Sequence, residues 1–160
     1  MAKNIDKKTV EGFGDEWSRF TYDDVSDDEI KTLFARYFDI FPFVELPSDA
    51  CGFDAGCGSG RWARLVAPWV GTLYCVDASS EALGIAERKM SDQENCRFLC
   101  SSIDDMAIAD SSMDFGYSLG VLHHMPDTVA GIEACVAKLK PGAPFLLYLY
   151  YAFDNRPAWF

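Results

Sequence analysis

The chain has 160 residues, 49% hydrophobic and 24% charged; this fits one globular unit that can bury a core without disulfide or metal staples, and it excludes a disordered chain. Twenty-five acids against fourteen bases leave a net charge of -11, a surface that repels phosphate backbones, so no nucleic-acid partner is expected. Six cysteines (Cys51, Cys57, Cys75, Cys96, Cys100, Cys135) include no C-x-x-C pair or zinc spacing, no apolar run approaches the roughly 20 residues that span a bilayer, and the start MAKNIDKKTV has no apolar signal core. Free thiols, no metal, no membrane span and a cytoplasmic location are the expectations.

Residues 1–49 read as a helical leader or lid segment. The first 25 are polar with scattered aromatics (Phe13, Trp17, Phe20, Tyr22) and no clear period. Ser26-x-x-Glu29 then makes a capping-box pattern, followed by Ile30, Leu33, Phe34, Tyr37, Phe38 and Phe41 at helical spacing, with Pro42 and Pro47 closing the helix. The acidic cluster Asp23, Asp24, Asp27, Asp28 and Glu29 suits the positive end of that helix; it lacks the ligand spacing and central glycine of a calcium loop. From residue 50 onward, short apolar runs at 52–55, 72–76, 97–101, 115–119 and 144–151 alternate with helical stretches at 61–66, 81–90 and 128–140, the last closed by Pro141-Gly142. Such alternation predicts an α/β domain over residues 50–160, a doubly wound, mostly parallel sheet with helices on both faces.

The strongest local signal is DAGCGSG at 54–60, directly after the first strand. Glycines at 56, 58 and 60 allow a sharp turn and close approach of the backbone to a ligand where helix amides face outward, which implies a nucleotide-like cofactor or, without one, a purely structural turn. The second strand ends in Asp77, whose carboxylate can accept hydrogen bonds from both hydroxyls of a ribose. An acid at a strand tip more often caps the following helix, but Ser79 or Ser80 is available for that task. His123 and His124, the only histidines, follow the fourth strand at the edge where ligands bind in such sheets; either can take a proton from a hydroxyl or amine, or simply cap and pack the loop. Cys57, between two motif glycines, is placed as a nucleophile would be, yet being small and buried explains it equally well.

In order and spacing, five blocks (DAGCGSG; Asp77; DSSMDF at 110–115; LGVLHHMPD at 119–127; LKPG at 139–142) resemble the class I S-adenosylmethionine-dependent methyltransferases of bacterial small-molecule type, over residues 50 to 151. The leader stretch FGDEWSRF (13–20) resembles a segment that precedes this core in some bacterial members. The resemblance implies a Rossmann-like fold, S-adenosylmethionine as cofactor, and methyl transfer to an O, N or C nucleophile of a small molecule. It assigns the methionine portion to Gly56, Gly58 and Gly60 with Cys57 between them, places Asp54 near the ammonium group, gives the ribose to Asp77 with Ala78 beside it, and sets the backbone around Leu119 at the methionyl end. Adenine would meet Ser102 and Ile103, although members often carry an Asp where Ser102 stands, so Asp104 or Asp105 is an alternative. His124 and, less favoured, His123 are the candidate bases; Trp17, Phe20, Arg61, Trp62, Tyr150 and Tyr151 are candidate lid and wall residues or core.

Two other readings compete: an NAD-dependent Rossmann oxidoreductase, against which stand the G-x-G-x-G pattern and the unused LHHMPD and LKPG blocks, and a non-catalytic module that binds S-adenosylmethionine without turnover. Because the family fold continues beyond the fifth strand, the resemblance also predicts a chain truncated at its C-terminal end that associates with itself through an uncovered sheet edge.

Overall fold

A computed structural model of the chain describes residues 4–6, 8, 10, 12 and 26–150. Phe13, Trp17, Phe20, Tyr22, Asp23, Asp24 and Tyr151 lie outside the described residues. Helix α1 spans Asp27–Phe38 and starts on the expected reciprocal cap: Ser26 Oγ accepts from the Glu29 N–H at 3.3 Å while a Glu29 carboxylate oxygen accepts from the Ser26 N–H at 3.2 Å. Its apolar stripe, Ile30, Phe34, Tyr37 and Phe38, turns inward, and Phe38 meets Tyr117 edge-on at 5.3 Å.

Five strands follow, β1 Cys51–Ala55, β2 Thr72–Asp77, β3 Cys96–Cys100, β4 Phe115–Leu119 and β5 Phe145–Tyr148, with helices α2 Ala63–Val66, α3 Ser80–Lys89 and α4 Thr128–Lys138 between them. All pair in parallel in the order β3-β2-β1-β4-β5. The chain therefore builds outward from β1 to β3, returns to the centre and builds outward on the other side. Each face carries its own core. Leu73, Cys75, Phe115, Tyr117 and Leu146 pack beneath α1, α2 and α3, whereas Phe53, Ala55 and Val76 pack with Cys135 and Ile132 of α4. The doubly wound expectation holds, with element ends shifted. Residues 61–62 belong to the loop before α2, which is a single turn continuing into a 3-10 turn at Ala67–Trp69 around Pro68. Helix α4 stops at Lys138 because Leu139 is extended and bridges to Met113.

That bridge shows what two of the sequence blocks do. Asp114 Oδ2 accepts from the Cys51 N–H at 2.9 Å, Asp114 Oδ1 receives Lys140 Nζ at 2.6 Å, and Lys138 Nζ reaches Asp110 Oδ1 at 2.7 Å. The 110–115 and 139–142 blocks stitch the bases of β1, β4 and β5 together at the end of the sheet remote from the glycine turn.

The central seam between β1 and β4 is closed by two glycine and phenylalanine pairs in register, Gly52 with Phe115 and Phe53 with Gly116. A Cβ on Gly52 would lie 2.3 Å from the Phe115 ring, and one on Gly116 would lie 2.4 Å from the Phe53 ring. On each face, then, one strand supplies the ring and its neighbour the space beneath it. Gly52→Ala is expected to destabilise the fold by about 2–3 kcal/mol through overpacking, read from the denaturant midpoint. Combining it with Phe115→Leu should cost less than the sum of the two single changes, because both act on one contact; additive costs would refute the interlock.

Candidate functional site

The sheet order reverses at β1 and β4, so the loops leaving their C-terminal ends part company and open a crevice, the place where open α/β sheets bind ligands. A cleft of about 260 Å³ lies there. Its floor is the turn after β1, where Gly56 has φ +82° and its N–H and that of Cys57 both donate to the Val76 carbonyl, at 2.8 and 3.0 Å. A Cβ on Gly56 would lie 2.5 Å from Val121, so the loops after β1 and β4 meet in contact that only a glycine permits.

Of the residues expected to hold a cofactor, Gly56, Cys57, Gly58, Asp77, Ala78, Ser102, Ile103 and Leu119 all line this cleft. Asp77 fastens the floor from the side: Oδ2 accepts from the Gly58 N–H and Oδ1 from the Ser79 N–H, both at 2.8 Å. Burial raises its pKa, opposed by these backbone donors, and each oxygen keeps a further lone pair for a ligand hydroxyl. Helix α3 is capped by Ser79 Oγ, which accepts from the Ala82 N–H. Ser102 Oγ is buried without a hydrogen-bond partner on the cleft wall.

Asp54 and Gly60 do not line the cleft. Strand alternation turns Asp54 down beside Tyr117 on the α1 face, 2% exposed, with one carboxylate oxygen lacking a hydrogen-bond partner. Burial, reinforced by the Asp77 charge against the pull of Tyr117 and Arg61, pushes its pKa up to about 8. Gly60 turns toward α3, where a Cβ would lie 2.8 Å from Met90 Sδ, so it serves helix packing. The Cys57 thiol is drawn down by a hydrogen bond with Cys75 but lifted more by burial and the carboxylates of Asp54 and Asp77, to about 11, which keeps it protonated at neutral pH. Asp104 and Asp105 stay outside the cleft, and Asp104 Oδ2 accepts from the Asn4 N–H at 3.1 Å.

The two histidines separate. His124 lines the cleft, and burial lowers its pKa. His123 stands behind it with its ring 4.0 Å from the His124 ring and edge-on to Tyr150 at 4.8 Å; burial and its neighbour lower its pKa, and neither ring nitrogen has a hydrogen-bond partner. Of the expected wall residues, Arg61, Trp62 and Tyr150 line the cleft, with the Arg61 guanidinium 4.5 Å over the Trp62 ring, while Trp17, Phe20 and Tyr151 fall outside the described residues.

Four further lining residues went unnoticed in the sequence: Asn4, Ile5, Asp6 and Val10. Nothing in MAKNIDKKTV marks them beyond two apolar residues in a polar run. Val121 and Met125 also line the cleft and lie inside the quoted LGVLHHMPD block. Among the described residues no group of three or more His, Cys, Asp or Glu is arranged to hold a metal ion, and no helix is long and apolar enough to cross a membrane.

The methyltransferase-domain family model matches residues 53–147. A phosphoethanolamine N-methyltransferase of Caenorhabditis elegans is 32% identical over 126 residues, covering 77% of this chain and 28% of its own. A ubiquinone biosynthesis O-methyltransferase of Xanthomonas axonopodis pv. citri is 28% identical over 103 residues, covering 63% and 43%. The chain thus spans less than half the length of these curated relatives. In fold it resembles a phosphoethanolamine N-methyltransferase of Haemonchus contortus solved with phosphoethanolamine and S-adenosylhomocysteine, with a TM-score of 0.69 at 13% identity over 83% of this chain and 30% of that one. With the family model spanning the sheet from β1 to β5, the chain belongs to the S-adenosylmethionine-dependent methyltransferase-domain family.

Proposed function

We propose that this domain binds S-adenosylmethionine in the cleft at the sheet reversal and directs its methyl group to an O, N or C nucleophile of a small molecule. The observation that carries the reading is the pairing of polar groups with spare capacity on one cleft wall: the Asp77 carboxylate suits a ribose diol, and the unpartnered Ser102 hydroxyl beside Ile103 suits the edge of a purine. The family match displaces the NAD-dependent reading of the glycine turn. The cofactor supplies a methyl group on a sulfonium, already electrophilic, so the chain's task is to bind, orient and, for a hydroxyl acceptor, remove a proton. The base is His124. Its lowered pKa keeps the imidazole neutral at pH 7, the form that accepts a proton, while His123 supports it from behind. Arg61, Trp62 and Tyr150 form the acceptor's wall, a planar apolar surface with one cation over it.

Asp54 is buried beneath the floor and does not line the cleft, so it would act on the cofactor's ammonium group only through the field of its ionised form. Its carboxyl ionises near its ordinary 3.8 when unfolded and near 8 in the fold, so the fold retains a proton that the unfolded chain loses. That contribution to stability is full below about pH 4 and fades as pH rises through about 8. The free thiols suit a reducing cytoplasm, and β5, paired only with β4 among the described residues, is the edge through which copies would associate.

Three outcomes are expected. His124→Gln should lower kcat about 100-fold with a hydroxyl acceptor, leave S-adenosylhomocysteine affinity unchanged, and abolish an acid limb lying below pH 6.5; a wild-type rate that is flat from pH 5 to 8 would remove the base. Asp54→Asn should flatten the fall in melting temperature between pH 5 and 8.5, as read by calorimetry. Light scattering at high concentration should show a species larger than the monomer, and a strict monomer would count against association through β5.

A further inference from the structure

Among the described N-terminal residues, Asn4 ties to two loops of the cleft. The Asn4 amide grips the peptide edge of Asp127 at two points: Nδ2 donates to the Asp127 carbonyl at 2.7 Å, and Oδ1 accepts from the Asp127 N–H at 2.8 Å. Its own backbone N–H donates to Asp104 Oδ2 at 3.1 Å. Asp127 is itself the N-cap of α4, its Oδ1 accepting from the Ala130 N–H at 2.9 Å, so the grip is on an ordered helix start. Asp104 lies in the turn just after Ser102 and Ile103, and Asp127 follows His124 and Met125. Asn4 is thus tied at once to the loop after β3 and the loop after β4, which bound the cleft from opposite sides of β1 and β2. Held there, Ile5, Asp6 and Val10 form part of the cleft wall, with Asp6 beginning a helical turn by accepting from the Lys8 N–H through Oδ1 and from the Val10 N–H through its carbonyl.

We propose that Asn4 is a positioning residue, a clasp that fastens Ile5, Asp6 and Val10 at the cleft wall and so sets how readily a ligand enters and leaves. The inference rests on the cleft being the cofactor site. Side-chain length and chemistry both matter. An amide presents one donor and one acceptor at the spacing of a peptide edge, which alanine cannot do and a carboxylate does only by half. The bonds lie at the exposed rim, so each is individually modest and the clasp can open; while both hold, however, Ile5 and Val10 keep apolar surface against the ligand.

Asn4→Ala tests this with two readouts. Dissociation of S-adenosylhomocysteine, followed by stopped-flow tryptophan fluorescence, should accelerate about tenfold for two lost hydrogen bonds, with a melting temperature of the free protein close to wild type. Alkylation of Cys57, which lines the cleft and is 7% exposed, should accelerate without any ligand, read by peptide mass spectrometry with buried Cys135 as internal reference. Unchanged rates in both measurements would overturn the clasp. Wild-type protein that fails to bind S-adenosylhomocysteine while Cys57 still reacts faster in Asn4→Ala would keep the clasp and remove the cofactor reading.

Discussion

The β1–β4 seam is the constraint on which the site depends. Chain growth in one direction from β1 must stop at β3 and resume on the other side with β4, so two strands far apart in sequence become neighbours at the centre of the sheet. Their close approach is possible because Gly52 and Gly116 yield their space to Phe115 and Phe53 on opposite faces, while Asp114 holds the Cys51 N–H at the strand bases. The same tight seam continues upward into Gly56 against Val121, where the two following loops touch and then diverge. Cleft floor and cleft wall are therefore extensions of one packing arrangement, and loosening the seam would move the glycine turn relative to the His124 loop.

Electrostatics beneath that floor favour a cationic ligand. Asp77 lies close enough to add to the cost of ionising Asp54, and Tyr117, fully buried, has its own pKa raised by burial and by Asp54. Asp77 offsets its burial with the Gly58 and Ser79 amides, but Asp54 keeps an oxygen without a partner. A positive charge placed in the cleft would favour the ionised form of both carboxyls, and a negative one would oppose it.

Much of this was legible from the chain. Strand 115–119 could be read to the residue, since Asp114 and Gly120 bound an apolar run, and the Ser26 capping box and the Ser79 cap appear as their patterns imply. The limits have physical causes. The 61–66 helix shrank because Arg61 and Trp62 complete the glycine turn while Pro68 forces a 3-10 turn. Spacing placed Asp54 and Gly60 in the motif but could not say which way they face: strand alternation sends Asp54 to the α1 side, and Gly60 is required by Met90, thirty residues on. Asn4 was invisible because its partners, Asp104 and Asp127, lie 100 and 123 residues away and one polar side chain leaves no periodic trace.

The leader thus acts on the domain by two kinds of force. Helix α1 and the turn after it attach through aromatic packing: Phe38 on Tyr117, Phe41 near Phe115, and Tyr37 between Trp62 at 5.2 Å and Tyr148 at 5.0 Å. These contacts bury area and join α1 to the core of that face. Asn4 attaches through a few exposed hydrogen bonds that exchange with water at little net cost, so its release can occur while the sheet stays intact. A cleft that must admit a ligand and then shield it requires that difference. The permanent wall is built where Tyr37 supports Trp62, and the removable one where a single amide bridges the loops after β3 and β4.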